Sequence, residues 1–282
     1  MADASPTIRR RELGTRLRAL RSAANLTVEE VAARIEVSAA KVSRIETAAR
    51  GVNINDIRAL CDAYQVSAAE RDRLLTLARE SRRRSWWQEY GLPESAATYI
   101  GLEDAATSIL QYSSSLIPPL LQTEGYARAV TSGIAPWLPD EEIEQFVRAR
   151  LARQALLESA SPPEVWAIVD EAVLHRPVGG GAVMRAQLGA LLERSRPANV
   201  TLQVIALEAG AHPGMDSAFI LLQLEEVSDV VYVEGLIGNL YLQNQKDLGR
   251  YRRAFDHLQA VALSPAASRE RIRAAASSLP DS

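Results

Sequence analysis

The sequence predicts two domains of different class: an all-α head of five short helices over residues 8–84, and an α+β domain, a small mixed sheet with many helices, over residues 96–277. Three observations lead there. A chain of 282 residues has room for about two independent cores. Apolar residues recur at helical spacing through the first part, whereas short β-branched and aliphatic runs appear only after Pro162 and Pro163. Charge is divided as well: residues 1–85 hold 17 Arg or Lys against 11 Asp or Glu, a net of +6, and the remainder holds 15 against 24, a net of −9. Gly91 and Pro93 break helix and place a junction at 85–95, where Trp86, Trp87 and Tyr90 are expected to pack. Residues 1–7 and 278–282 are expected to be disordered tails.

The head is legible helix by helix. Leu13, Leu17, Leu20 and Ala24 make one stripe, with Arg9, Arg10, Arg16 and Arg18 on the other face. Thr27 N-caps a second helix and Glu30 completes a capping box. Val31, Ala32 and Ile35 form its apolar face. Ser38 caps a third helix anchored by Val42 and Ile45. Asn53 or Asn55 caps a fourth bearing Ile54, Ile57, Leu60, Cys61 and Tyr64, and Ser67 caps a fifth bearing Leu74, Leu75 and Ala78. The spacing of Ala32, Glu36, Val42 and Ile45 fits a helix-turn-helix: a small residue where helices cross, a turn position, two core anchors. That frame turns Ala39, Ala40, Lys41, Ser43 and Arg44 outward at the start of the third helix, where a DNA major groove would receive them. The basic balance of this part agrees with a nucleic-acid module on an acidic partner domain.

Composition excludes several classes. The single Cys61 allows neither an internal disulfide nor a cysteine zinc site, and its place on an apolar helical face makes it a core thiol. No apolar run approaches the ~20 residues of a membrane span and no signal peptide is visible, so no membrane contact and a cytoplasmic location are expected. With 30 Arg and 2 Lys, arginine number alone carries little functional meaning.

The first-helix RLRALR, then LTVEEVA and VSAAKVSRIE, resemble the phage-repressor class of helix-turn-helix domains, the XRE type. The resemblance implies base reading from the first turn of the third helix: Ala39 and Ala40, then Lys41, Ser43 and Arg44, with Thr27 beside them. Alanines at the first two positions offer only methyl contact or close backbone approach, so Arg44 and Lys41 are expected to read guanine. Arg21 and Glu46 match a half-buried structural ion pair of that class, and Arg50, in the loop after the third helix, is expected to touch phosphate or the minor groove. Glu36 stands where glycine is usual in the turn, at a cost of ~1 kcal/mol in a left-handed conformation.

Beyond the junction, residues 96–160 read as mostly helical. Leu116–Gln122 should be extended around its two prolines, Thr123 caps a helix over Glu124–Thr131, and Asp140 caps a long helix over Glu141–Glu158. Val165–Val169, Val200–Leu207, Phe219–Leu224 and Val230–Glu234 read as strands. A helix over Val183–Arg194 makes the first two a βαβ unit, and Glu225–Asp229 makes the last two a hairpin. Two helices, Gln243–Ala262 and Pro265–Ser277, close the chain. Asp170, Glu171, His175 and Arg176 follow a strand, and Gly179, Gly180 and Gly181 precede a helix. Such glycines cradle phosphate or simply make a tight turn, and without a nucleotide fingerprint the turn is the expected role. His175, His212 and His257 have no metal-ligand spacing, and no serine sits in a nucleophile elbow, so neither an enzyme nor a cofactor is expected.

IPPLLQTEGYARAV, RLARQALL, DEAVLHRPVGG, MRAQLGALLE, NVTLQVIALEAGAHPG, VVYVEGLIGNLYL and YRRAFDHLQAVALSP resemble successive motifs of an actinobacterial family that joins an XRE-type head to a large antitoxin-like domain, the WhiJ-type developmental regulators. The resemblance implies a transcription factor acting on double-stranded DNA, with a small partner protein encoded nearby. Such heads work in pairs on half-sites about 34 Å apart, so a homodimer on a palindromic operator is expected. Glu234 and Tyr241, with Asp170, Glu171, Arg176, Gly179 and Gly180, are candidates for a pocket or partner surface. Two alternatives stay open: an adaptor that chiefly sequesters the partner, and a repressor gated by a small-molecule effector.

Overall fold

A computed structural model describes residues 5–48, 51–225, 227–235 and 238–279. The chain divides into two compact units, residues 1–88 and 89–282.

In the N-terminal unit five helices follow one another: α1 Pro6–Ala23, α2 Val28–Arg34, α3 Ala39–Glu46, α4 Ile54–Ala63 and α5 Ala68–Glu80. Their starts are written in local chemistry. Thr27, Ser38, Asn53 and Ser67 each accept a backbone N–H of the helix they open. Asn53, rather than Asn55, caps α4. α1 begins at Pro6, a residue suited to a first turn, so residues 5–7 are not a tail. Leu13, Leu17, Val31, Ala32, Val42, Ile45, Ile57, Leu60, Cys61, Leu74 and Ala78 bury together as one core. Gly14 lets α1 cross the end of α3 in contact: a Cβ there would lie 2.7 Å from the Glu46 carbonyl oxygen and 2.8 Å from that of Ile45. The connections use left-handed residues that are not glycine, Asn25, Glu36, Ala48 and Gln65. At Glu36 (φ 55°) the next amide, Val37 N–H, reaches the Ala32 carbonyl at 3.0 Å, so the turn keeps the glycine-type conformation with a glutamate in it.

The C-terminal unit opens with a 3-10 turn over Trp86–Tyr90 that spans the division, then α6 Glu94–Glu103. A strand, β1 Ala106–Ser113, follows where helix was expected. It is a central strand of a six-stranded sheet of order β3-β2-β1-β4-β5-β6, with β2 Glu164–Asp170, β3 Val200–Ile205, β4 Phe219–Leu224, β5 Val230–Val233 and β6 Leu240–Leu242. β1 and β2 are parallel, as are β2 and β3, and β4, β5 and β6 are added antiparallel. β6 was likewise absent from the sequence reading. β1 is a strand because both its edges are filled, Gln111 facing Ala167 on one side and Ile220 on the other, and no local signal announces either partner.

Between β1 and β2 lie α7 Glu124–Ile134, capped by Thr123, and α8 Asp140–Arg153. Three local expectations are corrected. Pro118–Pro119 starts a 3-10 turn over Pro119–Leu121 instead of an extended run, because proline's fixed φ suits the start of a turn as well as a strand. Pro139 holds the N-cap position of α8, and Asp140 is its first helical residue, with Glu141 and Glu142 in the same acidic turn. The α-helix stops at Arg153 and tightens into a 3-10 turn over Gln154–Glu158. A short α9, Ala172–His175, and α10, Gly181–Arg194, link β2 to β3, and α11 Gln245–Val261 and α12 Pro265–Ser278 end the unit. One sheet face buries Tyr112, Ile168, Ile205, Phe219, Leu221 and Val231 against Leu248, Phe255 and Leu258 of α11. The other carries the cross-strand row Ala167, Gln111, Ile220, Tyr232, Tyr241, and α6 lies on it with Tyr99 stacked 4.4 Å from Tyr232. No helix among the described residues is long and apolar enough to cross a membrane.

Candidate nucleic-acid interface

α2 and α3 are short and depend on their caps. The Thr27 hydroxyl accepts from Glu30 N–H at 3.2 Å, and a Glu30 carboxylate oxygen accepts from Thr27 N–H at 2.8 Å. The backbone donor and then the hydroxyl of Thr27 hold the Glu30 carboxyl below the usual carboxylate range. Thr27 is exposed at this corner. Ser38 starts α3 by accepting from Lys41 N–H at 3.2 Å.

Of the residues expected to face a groove, Ala40, Ser43 and Arg44 are exposed. Arg44 Nε donates to the Ala40 carbonyl at 3.1 Å, which lays the side chain along α3 and leaves its two terminal amines unspent among the described residues. Two expectations need correction. Ala39 is half-buried and packs on the core, so it serves the fold as much as the surface. Lys41 does not project freely: its Nζ donates to Asp56 Oδ1 of α4 at 2.8 Å, with the lysine side chain 32% exposed. The helix-turn-helix frame gave no warning of that carboxylate, which lies fifteen residues downstream. Arg50 lies outside the described residues.

The scaffold behind α3 is an ion pair. Arg21 Nε and Nη2 donate to the two Glu46 oxygens at 2.7 and 2.9 Å, and Nη1 donates to the Leu26 carbonyl at 2.9 Å. Glu46 raises the Arg21 pKa, chiefly through that hydrogen bond. Burial and then Glu46 raise the pKa of neighbouring Tyr64. The pair therefore ties the end of α1 to the end of α3 and fixes the angle at which α3 is presented. An exposed edge of Ala40, Ser43 and Arg44 on a rigid, basic scaffold is suited to phosphate and base contact.

In the C-terminal unit the proposed pocket residues are engaged in separate places. Asp170 Oδ1 accepts from Ala172 N–H at 2.9 Å, and Oδ2 lies 3.7 Å from His212 Nε2, beside the α11 face of the sheet. Glu171 is buried, with both oxygens on Arg271 Nη1 at 2.7 and 2.6 Å and one also accepting from Leu207 N–H at 3.0 Å. Burial opposes its ionisation, but Arg271 and Leu207 outweigh it and lower its pKa. That carboxylate is committed to holding α12, so it offers no partner surface. Gly179 and Gly180, both at positive φ, make the turn into α10. Tyr241, on the opposite sheet face, donates to the Ser95 carbonyl at 3.0 Å, and Glu234 and Arg176 are exposed.

Helix periodicity alone does not single out a polar cluster around the turn that ends at Gln122: Glu103, Gln122, Tyr126, Arg150 and Arg153. One signal was present. Ile143 and Val147 define the inward stripe of α8, and Arg150 falls next on it, where an apolar residue belongs.

A profile described as a helix-turn-helix domain matches residues 12–74, and one described as a domain of unknown function, DUF5753, matches residues 96–274. The chain belongs to the DUF5753 family, and its N-terminal unit is a helix-turn-helix of the XRE type, the kind found in DNA-binding regulators. No curated protein and no solved structure matches it.

Proposed function

We propose that this protein is a sequence-specific transcriptional regulator that binds double-stranded DNA through α3 and receives a partner or effector through its C-terminal unit. The observation that carries the reading is the exposed Ala40, Ser43 and Arg44 edge of α3 inside a matched helix-turn-helix domain. Arg44 is the base reader, able to donate both terminal amines to a guanine. Ala40 admits close approach, and Thr27, Ser43 and Arg50 contact the flanking backbone. The protein acts in the cytoplasm as a homodimer on a palindromic operator, with dimerisation assigned to the acidic C-terminal unit. No catalytic role is assigned to either unit.

The finer reading, an antitoxin-like regulator of the WhiJ type that binds a small protein encoded nearby, is supported by the motif order of residues 117–265 alone. Genome-wide mapping of bound DNA, followed by anisotropy titration of the full chain on the recovered site and on random duplex, tests the main proposal. The recovered site should bind at least 10³-fold tighter. Failure to bind any duplex at low ionic strength would overturn it. Light scattering tests the dimer, and co-purification from the native cell tests the partner.

A further inference from the structure

α8 carries two arginines one turn apart, and the fold treats them differently. Arg153 meets both oxygens of Glu103 at 2.7 Å, lies over the Tyr99 ring at 5.2 Å, and shares Glu103 with the Tyr99 hydroxyl at 2.8 Å. That charge is matched. Arg150 has no carboxylate within ion-pair distance among the described residues, and its one hydrogen bond runs from Nη1 to the neutral amide oxygen of Gln122 at 2.8 Å. Burial first, and the charge of Arg153 second, push its pKa down to about 10.

A second unspent donor lies beside it. Tyr126 is fully buried, and its hydroxyl oxygen accepts from Ile117 N–H at 3.2 Å. The hydroxyl proton has no acceptor among the described residues. Burial raises the Tyr126 pKa, and the Ile117 N–H and then the charges of Arg176 and Arg150 act against it. The exposed Arg176 side chain makes no hydrogen bond or ion pair among the described residues. Glu234 acts on Arg150 from a distance but is exposed and forms no ion pair with it.

The cluster is held rigid. Gln122 Nε2 donates to the Ile117 carbonyl at 2.7 Å, and the Gln122 carbonyl accepts from Gln154 at 2.7 Å and Arg194 at 3.1 Å. Gln187 closes the same turn, accepting from Thr123 N–H at 2.7 Å and donating to the Leu121 carbonyl at 2.8 Å. Polar side chains thus fix the segment that positions Arg150 and Tyr126, the preorganisation a binding site needs.

We propose that Arg150 and Tyr126, held on the same turn through Gln122 and Ile117, form a site for a small oxyanion, the carboxylate or phosphate group of a metabolite-sized ligand. The Arg150 guanidinium fork and the Tyr126 hydroxyl supply the donors, and the ligand supplies the negative charge that Arg150 lacks. The proposal rests on the reading of the C-terminal unit as the receiver of a signal, but not on DNA binding.

Thermal unfolding of the full chain without DNA, in sodium phosphate or sodium succinate against sodium chloride of equal ionic strength, tests it. One of the two anions should raise Tm by roughly 5 °C or more at a hundredfold excess over Kd, and which one tells phosphate from carboxylate. Arg150→Met should abolish that rise and leave the anion-free Tm unchanged or higher, since an unmatched cation is removed. Tyr126→Phe, which keeps the ring, should weaken binding several-fold by calorimetry, and Glu234→Gln should tighten it. No rise with either anion, an undiminished rise in Arg150→Met, or a marked fall of its anion-free Tm would overturn the site. None of these results would touch the DNA reading.

Discussion

Arg21 of the N-terminal unit and Arg150 of the C-terminal unit are inward-facing arginines handled in opposite ways. In the N-terminal unit Arg21 meets a carboxylate whose side chain is 4% exposed, and every face of its guanidinium has an acceptor. In the C-terminal unit Arg153 repeats that solution with Glu103, while Arg150, three residues earlier on the same helix, is given only an amide. Arg150 is half-buried, and a cation withdrawn from water without its counter-charge is costly unless something else requires it. The contrast separates an arginine that holds helices together from one kept for something the chain does not itself contain.

That contrast can be broken deliberately. The largest effect is expected from Glu46→Ala or Glu103→Ala, each of which turns a matched arginine into an unmatched one. Either should cost about 3–5 kcal/mol in chemical denaturation. A loss below about 1 kcal/mol would show that these pairs are no different from surface pairs. Gly14→Ala comes next, at about 1–3 kcal/mol, because the added methyl meets the backbone of α3, which cannot step aside.

Smaller effects belong to recognition. Arg44→Ala should cost about 1–3 kcal/mol on the operator by anisotropy, with little change on random duplex. Equal losses on both would reassign Arg44 to the phosphates. The smallest change is expected from Asp56→Ala, which releases Lys41. DNA affinity should rise a few-fold while Tm moves by about a degree, in keeping with the modest worth of half-exposed ion pairs. Weaker binding would mean that Asp56 is needed to aim Lys41.

Sequence and structure agree best where information is local. Thr27, Ser38, Asn53 and Ser67 announce their helices within one turn, and the Arg21–Glu46 pair followed from a resemblance in which both of its residues are present. The parallel β2–α10–β3 unit and the β4–β5 hairpin were readable because β-branched runs alternate with turn residues. β1 was not. ATSILQYS has no strict alternation, it follows α6 without glycine or proline, and its partners lie some 50 and 110 residues away. The Lys41–Asp56 tie was hidden for the same reason, since it depends on how α3 and α4 come together. Arg150 was legible only as an offence against periodicity, the sort of local conflict that accompanies function.

The placement of β1 also bears on how the protein is made. It leaves the ribosome ahead of every other strand, yet its antiparallel neighbour β4 is translated about 110 residues later. At ~5–20 residues per second, several seconds pass with that hydrogen-bonding edge unclaimed, while the N-terminal helices are free to fold first. For that interval the nascent chain carries an open strand edge beside Ile109 and Tyr112, so the tendency to aggregate should belong to synthesis more than to the finished molecule.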